Sequence, residues 1–565
     1  MECYNQSIAE KGNQKVLLVD GKPFIMLAGE VHNSDSSSPA YMEQIWKIAE
    51  ELGMNSLLLP VTWEMVEPVE GEFHFEILDQ LIDQAREHGM KIGLLWFGSF
   101  KNAECMYAPE WVKRDLERFH RGQIVKGKNK AGRKVSPTLP VTIPYTTISY
   151  LSENAMQADA RAFGKMMQHV REYDEAYGTV ITVQVENETG LLGNAREVSD
   201  EADAAFAGEV PQEFASYMRS HTEYMEEDVC AAVEAGAEKG SWSEVFGAVA
   251  EEIFSAYHVA SFVEYVAKAG KDAYDLPMAV NCWLDKAADT LGDYPSGGPV
   301  ARVHEVWDYC APSIDVYCPD IYVPYFNKVC DRFVKSGTNP LYIPEAATHS
   351  YAAPRMVYTV GHYHAMCYSP FGFDDIGKPF SAAQGYLFGM DVTDPALKTP
   401  QNFEEYAALG KILREAMPLL AERYGTTDLQ AVCAEREAEK KKSLGLPEDM
   451  NPMERMMAEA AAATKMIFGD LGVSAGFGGM MRPRNDGALL VCRTKENEVY
   501  MIGEQCDIQL FSTDSEKTNL DILRLEEGTF ENGVFVPGRR FNGDETAQLK
   551  LDKPGVLRLQ WFTYE

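Results

Sequence analysis

Two glutamates stand at the ends of short apolar runs in the chain. Glu188 closes the run TVITVQVENE (179–188), and Glu345 lies near the end of PLYIPEA (340–346). Glycoside cleavage needs two carboxyl groups on opposite sides of a sugar ring, one protonated to assist the leaving oxygen and one ionised to attack the anomeric carbon. Burial and mutual repulsion drive the pKa values of such a pair apart, which gives one acid and one anion at neutral pH. The pair therefore predicts glycosidase chemistry.

Other polar and aromatic side chains end further apolar runs. They are Glu30, His32 and Asn33, then Trp96 and Asn102, then Gln184, Glu186 and Asn187, then Asn281 and Trp283, and finally Asp320 and Tyr322. Trp96 and Trp283 either stack on the apolar face of a pyranose or pack among the strand ends. Glu30 either binds a sugar hydroxyl or is structural. By strand alternation Glu186 shares a face with Glu188, as a structural carboxylate or as a group that tunes a pKa.

The elements that position these residues form a regular series between residues 15 and 425. Eight apolar runs alternate with amphipathic helices, at 23–31, 55–61, 91–98, 179–188, 277–283, 314–322, 340–346 and 365–373. Near-continuous apolar strands separated by helices predict a parallel sheet that is covered on its outside. Eight repeats fit a (β/α)8 TIM barrel, and no GxGxxG follows the first strand to support an open nucleotide-binding sheet. The polar residues then meet at the barrel mouth, formed by the carboxyl ends of the strands.

Composition divides the chain into three parts. We expect the barrel over residues 1–425, with an acidic helical insertion at 196–246, and a connector with a short helix over 426–465. Over 466–565, runs such as GALLVCRT and VLRLQWFTY alternate with Gly, Asn and Asp turns. This pattern predicts a small C-terminal antiparallel β-sandwich.

The charge and composition restrict the partners. The formal net charge is −34, from 86 acidic and 52 basic residues, and it repels phosphate backbones and anionic lipids. We therefore expect a small oligosaccharide or glycoside as substrate and neither nucleic acid nor a membrane as partner, and we leave a homo-oligomer open. No long apolar run predicts a membrane span, and the start of the chain resembles no secretory signal, so a cytoplasmic location is expected.

Metal ions and cofactors are not expected. The 11 cysteines are scattered without metal-binding spacing, and reduced core cysteines are the simplest interpretation. His362 and His364 are close in sequence, but no third ligand stands at a suitable spacing.

Longer motifs resemble a known family. They are GEVHNSDSSSPAYMEQIW, PVTWEMVEPVEGEFHF, LLWFGSFKNAECMYAPEWVK, QVENETG, YPSGGP, PDIYVPYF, NPLYIPEA and YSPFGFD, which cover most of residues 20–375. TVITVQVENETG resembles the acid/base strand of clan A retaining glycosidases. Together the motifs resemble glycoside hydrolase family 35, the β-galactosidase family, in the bacterial branch with an extra C-terminal β-domain of formerly unknown function.

The resemblance implies a role for each matching residue. Glu188 would be the general acid/base and Glu345 the nucleophile. Asn187 would bind the sugar 2-hydroxyl, Tyr322 would orient the nucleophile, and Asn102 would lie in a loop that reads hydroxyls. The expected substrate-binding residues are Asn187, Tyr322, Asn102, Trp96, Asn281, Trp283, Glu30 and Asn33.

The chain also departs from the common family pattern. GEVHNS replaces the usual Gly-Ser-Ile-His-Tyr, and Trp-Phe-Gly stands where many relatives have Arg-Pro-Gly-Pro-Tyr. We expect a retaining exo-β-glycosidase, first of all a β-galactosidase, with a β-glucosidase or β-glucan transglycosylase as the alternative. A non-catalytic sugar-binding protein would be expected to have lost one carboxylate, and a metal-dependent hydrolase would need a ligand set that the sequence lacks.

Overall fold

Eight parallel strands form a barrel in chain order. The computed structural model describes residues 6–124, 146–286, 289–379, 399–434, 463–479 and 487–565, with a few isolated residues between these ranges. The strands are β1 (Met26–Glu30), β2 (Ser56–Thr62), β3 (Lys91–Lys101), β4 (Val180–Asn187), β5 (Met278–Cys282), β6 (Val316–Pro319), β7 (Tyr342–Ala346) and β8 (Cys367–Pro370). Strands that follow one another in sequence pair, except β6 and β7, and β8 pairs with β1. The ring closes beyond β6, where the Ile321 N–H donates to the Glu345 carbonyl oxygen at 2.8 Å. The predicted barrel is confirmed.

A helix follows each strand and covers the outside of the barrel. These helices are α1 (Pro39–Glu51), α2 (Glu76–Glu87), α3 (Glu153–Asp174), α4 (Ala250–Ala273), α5 (His304–Cys310), α6 (Phe326–Phe333), α7 (Ala352–Tyr358) and α8 (Phe403–Arg423). Side-chain caps fix several starts, because Ser38, Ser152 and Asn402 each accept a backbone N–H of the first turn. Four short helices lie between β4 and α4, at Asp200–Ala207, Gln212–Ser220, Glu227–Ala235 and Trp242–Phe246. Among the described residues, no helix has both the length and the apolar character needed to span a membrane.

Strand alternation separates two apolar layers. On β3, Leu95 and Phe97 join the cluster inside the barrel, whereas Leu94 and Trp96 join the cluster between the sheet and the helices. The strands Gln6–Lys11, Gln14–Val19 and Lys22–Pro23 form an N-terminal sheet, whose residues Leu17 and Val19 pack into the barrel interior. Because apolar side chains fill that interior, polar side chains are left to gather at the mouth.

Two antiparallel sheets form the C-terminal part. Their strands are β9 (Leu429–Cys433), β10 (Lys465–Phe468), β11 (Leu471–Gly476), β12 (Ala488–Lys495), β13 (Glu498–Glu504), β14 (Cys506–Ser512), β15 (Asn519–Glu531), β16 (Val534–Phe541), β17 (Lys550–Leu551) and β18 (Gly555–Tyr564). One sheet has the order β9-β12-β13-β18-β15-β16 and the other β10-β11-β14-β17. Leu489 and Val491 of β12 face the second sheet, while Leu490 and Cys492 pack with the barrel helices.

The expected connector over 426–465 needs a correction. Its first part is strand β9, which pairs with β12 from Leu429↔Cys492 to Cys433↔Ala488 and so belongs to the six-stranded sheet. His364 fixes this junction, since its ring contacts the Leu429 carbonyl oxygen at 3.1 Å and accepts the Gly425 N–H at 3.0 Å. Most of the remaining stretch, including the predicted short helix, lies outside the described residues.

Candidate active site

The strand ends bring the two predicted catalytic glutamates together. Glu188 follows β4 and Glu345 lies on β7, and both are buried. One carboxylate oxygen each of Glu188, Asp320 and Glu345 lies within 4.8 Å of the others. The three residues are far apart in sequence and stand at the ends of three different strands. Closure of the barrel is what places them side by side.

Glu345 is held by an irregular strand and a tyrosine. The pairing of β7 with β8 shifts register between Ile343 and Ala346, at the point where Glu345 turns into the barrel mouth. The Tyr322 hydroxyl donates to Glu345 Oε2 at 2.6 Å. Burial raises the pKa of Tyr322 well above its usual value, so the phenol stays a donor. Glu345 Oε1 is buried and has no hydrogen-bond partner among the described residues.

Glu188 sits on backbone that breaks the strand pattern. Its φ is +47°, and that of Glu186 is +60°. Both values lie in the left-handed region, which residues other than glycine seldom adopt. The Glu188 N–H donates to Asn281 Oδ1 at 2.9 Å, and the Glu188 carbonyl oxygen accepts the Ala103 N–H at 3.0 Å. These bonds to two neighbouring segments stabilise the unusual conformation and aim the carboxyl group into the mouth.

The surroundings make Glu188 an acid at neutral pH. Burial and the nearby charge of Glu345 raise its pKa to about 7. Lys101, and hydrogen bonds from Asp320 and Trp283, oppose the rise. Glu188 can therefore hold a proton near neutral pH, whereas Glu345 accepts the hydrogen bond from the Tyr322 hydroxyl.

Asn281 and Asp320 form a second layer under Glu188. Asn281 Nδ2 donates to Asp320 Oδ2 at 3.0 Å, while its oxygen accepts the Glu188 N–H. Asp320 Oδ1 is buried without a partner among the described residues. Asn281 thus supports the backbone of Glu188, and its side chain is committed to protein groups.

Several expected substrate-binding groups carry unpartnered polar atoms at the mouth. Among the described residues, Glu30 Oε1 and Oε2, Asn33 Oδ1, Asn102 Oδ1 and Asn187 Nδ2 are buried and lack a hydrogen-bond partner. Burial, followed by the charge of Glu345, raises the pKa of Glu30 well above its ordinary value. Buried polar atoms normally find partners, so a cluster of exceptions marks a surface that a polar ligand completes.

Trp96 requires a correction. Its side chain is fully buried on the outer face of β3, where Nε1 donates to Asp159 Oδ1 at 2.8 Å and the indole contacts Phe163 of α3. The physical reason is alternation, because its neighbours Leu95 and Phe97 point into the barrel. Trp96 is thus a packing residue, whereas Trp283 is half-buried and bonds to Glu188.

Glu186 also lies on the other face. Its oxygens accept the Phe100 N–H at 2.7 Å and the Ser99 N–H at 3.3 Å, and it pairs with Asp159 of α3. The positive φ at Glu186 and Glu188 breaks the alternation that placed both on one face, so that expectation is wrong. Of the two alternatives, the contacts favour a structural carboxylate.

Lys101 is a site residue that the sequence reasoning missed. It ends β3 with a buried side chain, and its Nζ donates to Asn187 Oδ1 at 2.9 Å. Its only signal in the sequence is a lysine that directly follows an apolar strand in WFGSFKN. Such a position is equally compatible with a solvated strand end, which is why the sequence alone did not single it out.

A cleft elsewhere does not compete for this role. It encloses about 930 Å³ between β15, β16 and the segment 544–557. In the part of the chain that the structure describes, none of its lining side chains leaves a buried polar atom without a partner. The chemistry is therefore assigned to the barrel mouth.

Two family models match parts of the chain. Glycosyl hydrolases family 35 matches residues 16–121, a segment that contains Glu30 and Asn102, and Domain of unknown function (DUF5597) matches residues 407–551. No curated protein matches the chain. The two family matches confirm the resemblance that the sequence motifs indicate, and the first supports a glycosidase.

Solved structures give more distant similarities. The chain is similar to a β-galactosidase from the psychrophilic Marinomonas ef1, at 15% identity and a TM-score of 0.44, over 71% of this chain and 61% of that one. It is similar to a β-galactosidase from Rahnella sp. R3, at 12% identity and a TM-score of 0.39, over 69% and 64%. It is also similar to an exo-β-1,4-mannosidase from Opitutaceae bacterium strain TAV5, at 12% identity and a TM-score of 0.36, over 69% and 60%. The chain spans less than two thirds of the length of each of these proteins.

Proposed function

We propose that the protein is a retaining exo-β-glycosidase that releases terminal sugars from oligosaccharides or glycosides. β-Galactosidase is the favoured activity. The separation of Glu188 and Glu345 is the observation that carries the proposal. Retaining enzymes hold their two carboxyl groups about 5–5.5 Å apart, whereas inverting enzymes separate them by about 6.5–9.5 Å to admit a water. Closest oxygens within 4.8 Å are compatible with the shorter, retaining separation.

The first half of the reaction forms a covalent intermediate. A carboxylate oxygen of Glu345 attacks the anomeric carbon while the bond from that carbon to the leaving oxygen breaks. The Glu188 carboxyl group gives its proton to the leaving oxygen, which a pKa of about 7 allows at neutral pH. The hydrogen bond from Tyr322 keeps the attacking carboxylate in one orientation.

The second half restores the enzyme. Glu188, now ionised, takes a proton from a water that attacks the anomeric carbon, and the bond between that carbon and the Glu345 oxygen breaks. Two displacements return the sugar with its original β configuration. Asn187, Asn33, Asn102 and Glu30 carry buried atoms without partners that can bind the sugar hydroxyls during both steps.

A β-glucosidase or β-glucan transglycosylase is the second candidate. Glu30 and Asn33 lie in GEVHNS, which differs from the usual family motif, and both present unpartnered polar atoms at the mouth. A changed set of hydrogen-bonding groups changes which hydroxyl stereochemistry fits. Because both carboxylates are present and close together, a non-catalytic sugar-binding protein is disfavoured.

The proposed setting is the cytoplasm. None of the ten cysteines that the structure describes forms a disulfide. Unoxidised cysteines in this number support a reducing compartment. Imported oligosaccharides or small glycosides would then be the natural substrates.

The test measures hydrolysis of four p-nitrophenyl β-glycosides, in which the sugar is galactose, glucose, xylose or fucose. Glu345→Gln should lower kcat on the order of 10⁴-fold or more, since no glycosyl-enzyme can form. Glu305→Gln is the matched control, because Glu305 is a buried carboxylate whose charged neighbours are Asp308, Lys335 and Glu226. A wild-type enzyme that turns over no member of the panel, or a fully active Glu345→Gln, would contradict the proposal.

The stereochemical course has its own test. Incubation with a 2-deoxy-2-fluoro glycoside should add one glycosyl unit to the peptide that contains Glu345, measured by mass spectrometry after proteolysis. Proton NMR should detect the β-anomer of the sugar as the first product. An α-anomer formed first would show inversion and would remove the nucleophile role from Glu345.

A further inference from the structure

Lys101 occupies an unusual place for a lysine. Its ammonium group lies inside the barrel mouth, 4.8 Å from the centroid of the Phe97 ring, and the residue is only 6% exposed. The titratable groups that face it come from five segments and are Glu30, Glu188, Asp320, Glu345 and Tyr107. Lysines are seldom buried unless they are paired, so this position calls for a specific reason.

The charge of Lys101 is stable in these surroundings. Burial disfavours the ammonium form, but the four carboxylates more than offset this effect, and the pKa of Lys101 lies above its ordinary value. Three of these carboxylates have oxygens within 4.8 Å of one another and repel each other strongly when ionised. The attraction of these carboxylates to a fixed positive charge beside them offsets part of that repulsion.

The hydrogen bond to Asn187 determines how the asparagine is oriented. A side-chain amide can be turned with either its oxygen or its nitrogen toward a neighbour, but an ammonium group can only donate. The bond from Lys101 Nζ therefore requires Asn187 Oδ1 to face the lysine, which directs Nδ2 the opposite way. Asn187 Nδ2 is buried and without a partner among the described residues, next in sequence to Glu188.

We propose that Lys101 is a positioning residue for glycoside cleavage, which turns the Asn187 amide N–H toward a substrate hydroxyl and supplies positive charge to the catalytic carboxylates. This inference rests on the proposed function. It assigns two effects to one side chain, a geometric effect through Asn187 and an electrostatic effect on Glu188 and Glu345. A lysine that only fills space at the strand end would produce neither.

The geometric effect is tested with Lys101→Met and Lys101→Arg on a set of 2-, 3-, 4- and 6-deoxy aryl glycosides. Lys101→Met should lower kcat/KM about 10²-fold on the parent sugar. The loss should fall mainly on kcat, because a contact that strengthens in the transition state affects kcat. It should shrink to a few-fold on one deoxy sugar, expected to be the 2-deoxy compound, and Asn187→Ala should lose its effect on the same compound. An equal defect on all four deoxy sugars would overturn the geometric role.

The electrostatic effect is tested by the pH dependence of kcat/KM. Lys101 lowers the pKa of Glu188, so removing its positive charge should raise that pKa further. In Lys101→Met the alkaline limb of kcat/KM, set by loss of the Glu188 proton, should therefore move to higher pH. Lys101→Arg retains the charge and should return that limb toward its wild-type position. An unmoved alkaline limb in Lys101→Met would overturn the electrostatic role.

Failure of this inference can be told apart from failure of the proposed function. If wild type forms the Glu345 glycosyl-enzyme and Lys101→Met behaves like wild type, only the role of Lys101 is lost. If wild type forms no such intermediate, the proposed function itself fails. Thermal unfolding of all variants, followed by circular dichroism, shows whether Lys101→Met is folded, and Lys101→Arg provides the same readouts should it not be.

Discussion

Two buried clusters of carboxyl groups lie back to back across the end of β4. Behind the strand, Glu186 and Asp159 receive hydrogen bonds from the Ser99 and Phe100 N–H groups and from the Trp96 indole. In front of it, the cluster around Glu188 and Glu345 includes several oxygens without a partner among the described residues. Burial is nearly complete on both sides, so burial alone does not separate them.

The difference between the clusters lies in their partners. A buried polar atom that lacks a hydrogen bond costs about 1–3 kcal/mol, and stable proteins contain few of them. The rear cluster avoids this cost and anchors the bend of β3 that leads to Lys101 and Asn102. The front cluster carries this free-energy cost, which is expected where a substrate supplies the missing hydrogen bonds. Satisfied carboxyl groups therefore indicate structure in this barrel, and unsatisfied ones indicate the site.

Removing the front acid should have the largest effect. Glu188→Ala should lower kcat/KM about 10²–10⁴-fold on glycosides with poor leaving groups, because proton donation to the leaving oxygen is lost. An activated dinitrophenyl glycoside should retain most of its glycosylation rate, and added azide should restore turnover and yield the β-glycosyl azide. The thermal midpoint should change little, because loss of the bonds from Asp320 and Trp283 is offset by relief of the repulsion between Glu188 and Glu345. An α-glycosyl azide would contradict the assignment.

The rear cluster should respond in stability instead. Glu186→Leu leaves the Phe100 N–H without an acceptor and the Ser99 N–H with Asp159 alone. It should lower the free energy of unfolding by about 1–3 kcal/mol, measured by urea denaturation. Glu186→Gln should be far milder. Burial, then Asp159, raises the pKa of Glu186 well above its usual value, so the native carboxyl group is protonated and an amide imitates it. Equal losses in both variants would show that the pair is ionised.

The pH dependence should reflect the front cluster only. Glu188 must be protonated to act, and its pKa is raised to about 7 by burial and by Glu345. Above that pH, kcat/KM should fall about tenfold per unit as the proton is lost. Stopped assays with an unactivated glycoside check this, and the same assay with a dinitrophenyl glycoside is the control, since its alkaline limb should be shallow. Parallel limbs for both substrates would assign the titration to another group.

Much of the fold and part of the site followed from the sequence. The apolar runs predicted all eight barrel strands, because a strand covered on both faces needs a continuous apolar stretch. Glu188 and Glu345 could be singled out because each ends such a run. The orientation of Trp96 and Glu186 could not, since it depends on the bend in β3 and on two positive φ values at the end of β4 that no local pattern encodes. Lys101 was missed because its partners come from other strands.

The two tryptophans give the smallest and most discriminating comparison. Trp96→Phe removes the hydrogen bond to Asp159 and should lower the free energy of unfolding by about 1–2 kcal/mol while kcat/KM stays near wild type. Trp283→Phe should leave stability nearly unchanged. The bond from Trp283 favours the ionised form of Glu188, so its loss should raise the pKa of Glu188 and move the alkaline limb of kcat/KM to higher pH. If Trp96→Phe moves that limb and Trp283→Phe does not, the division between a structural rear cluster and a catalytic front cluster is wrong.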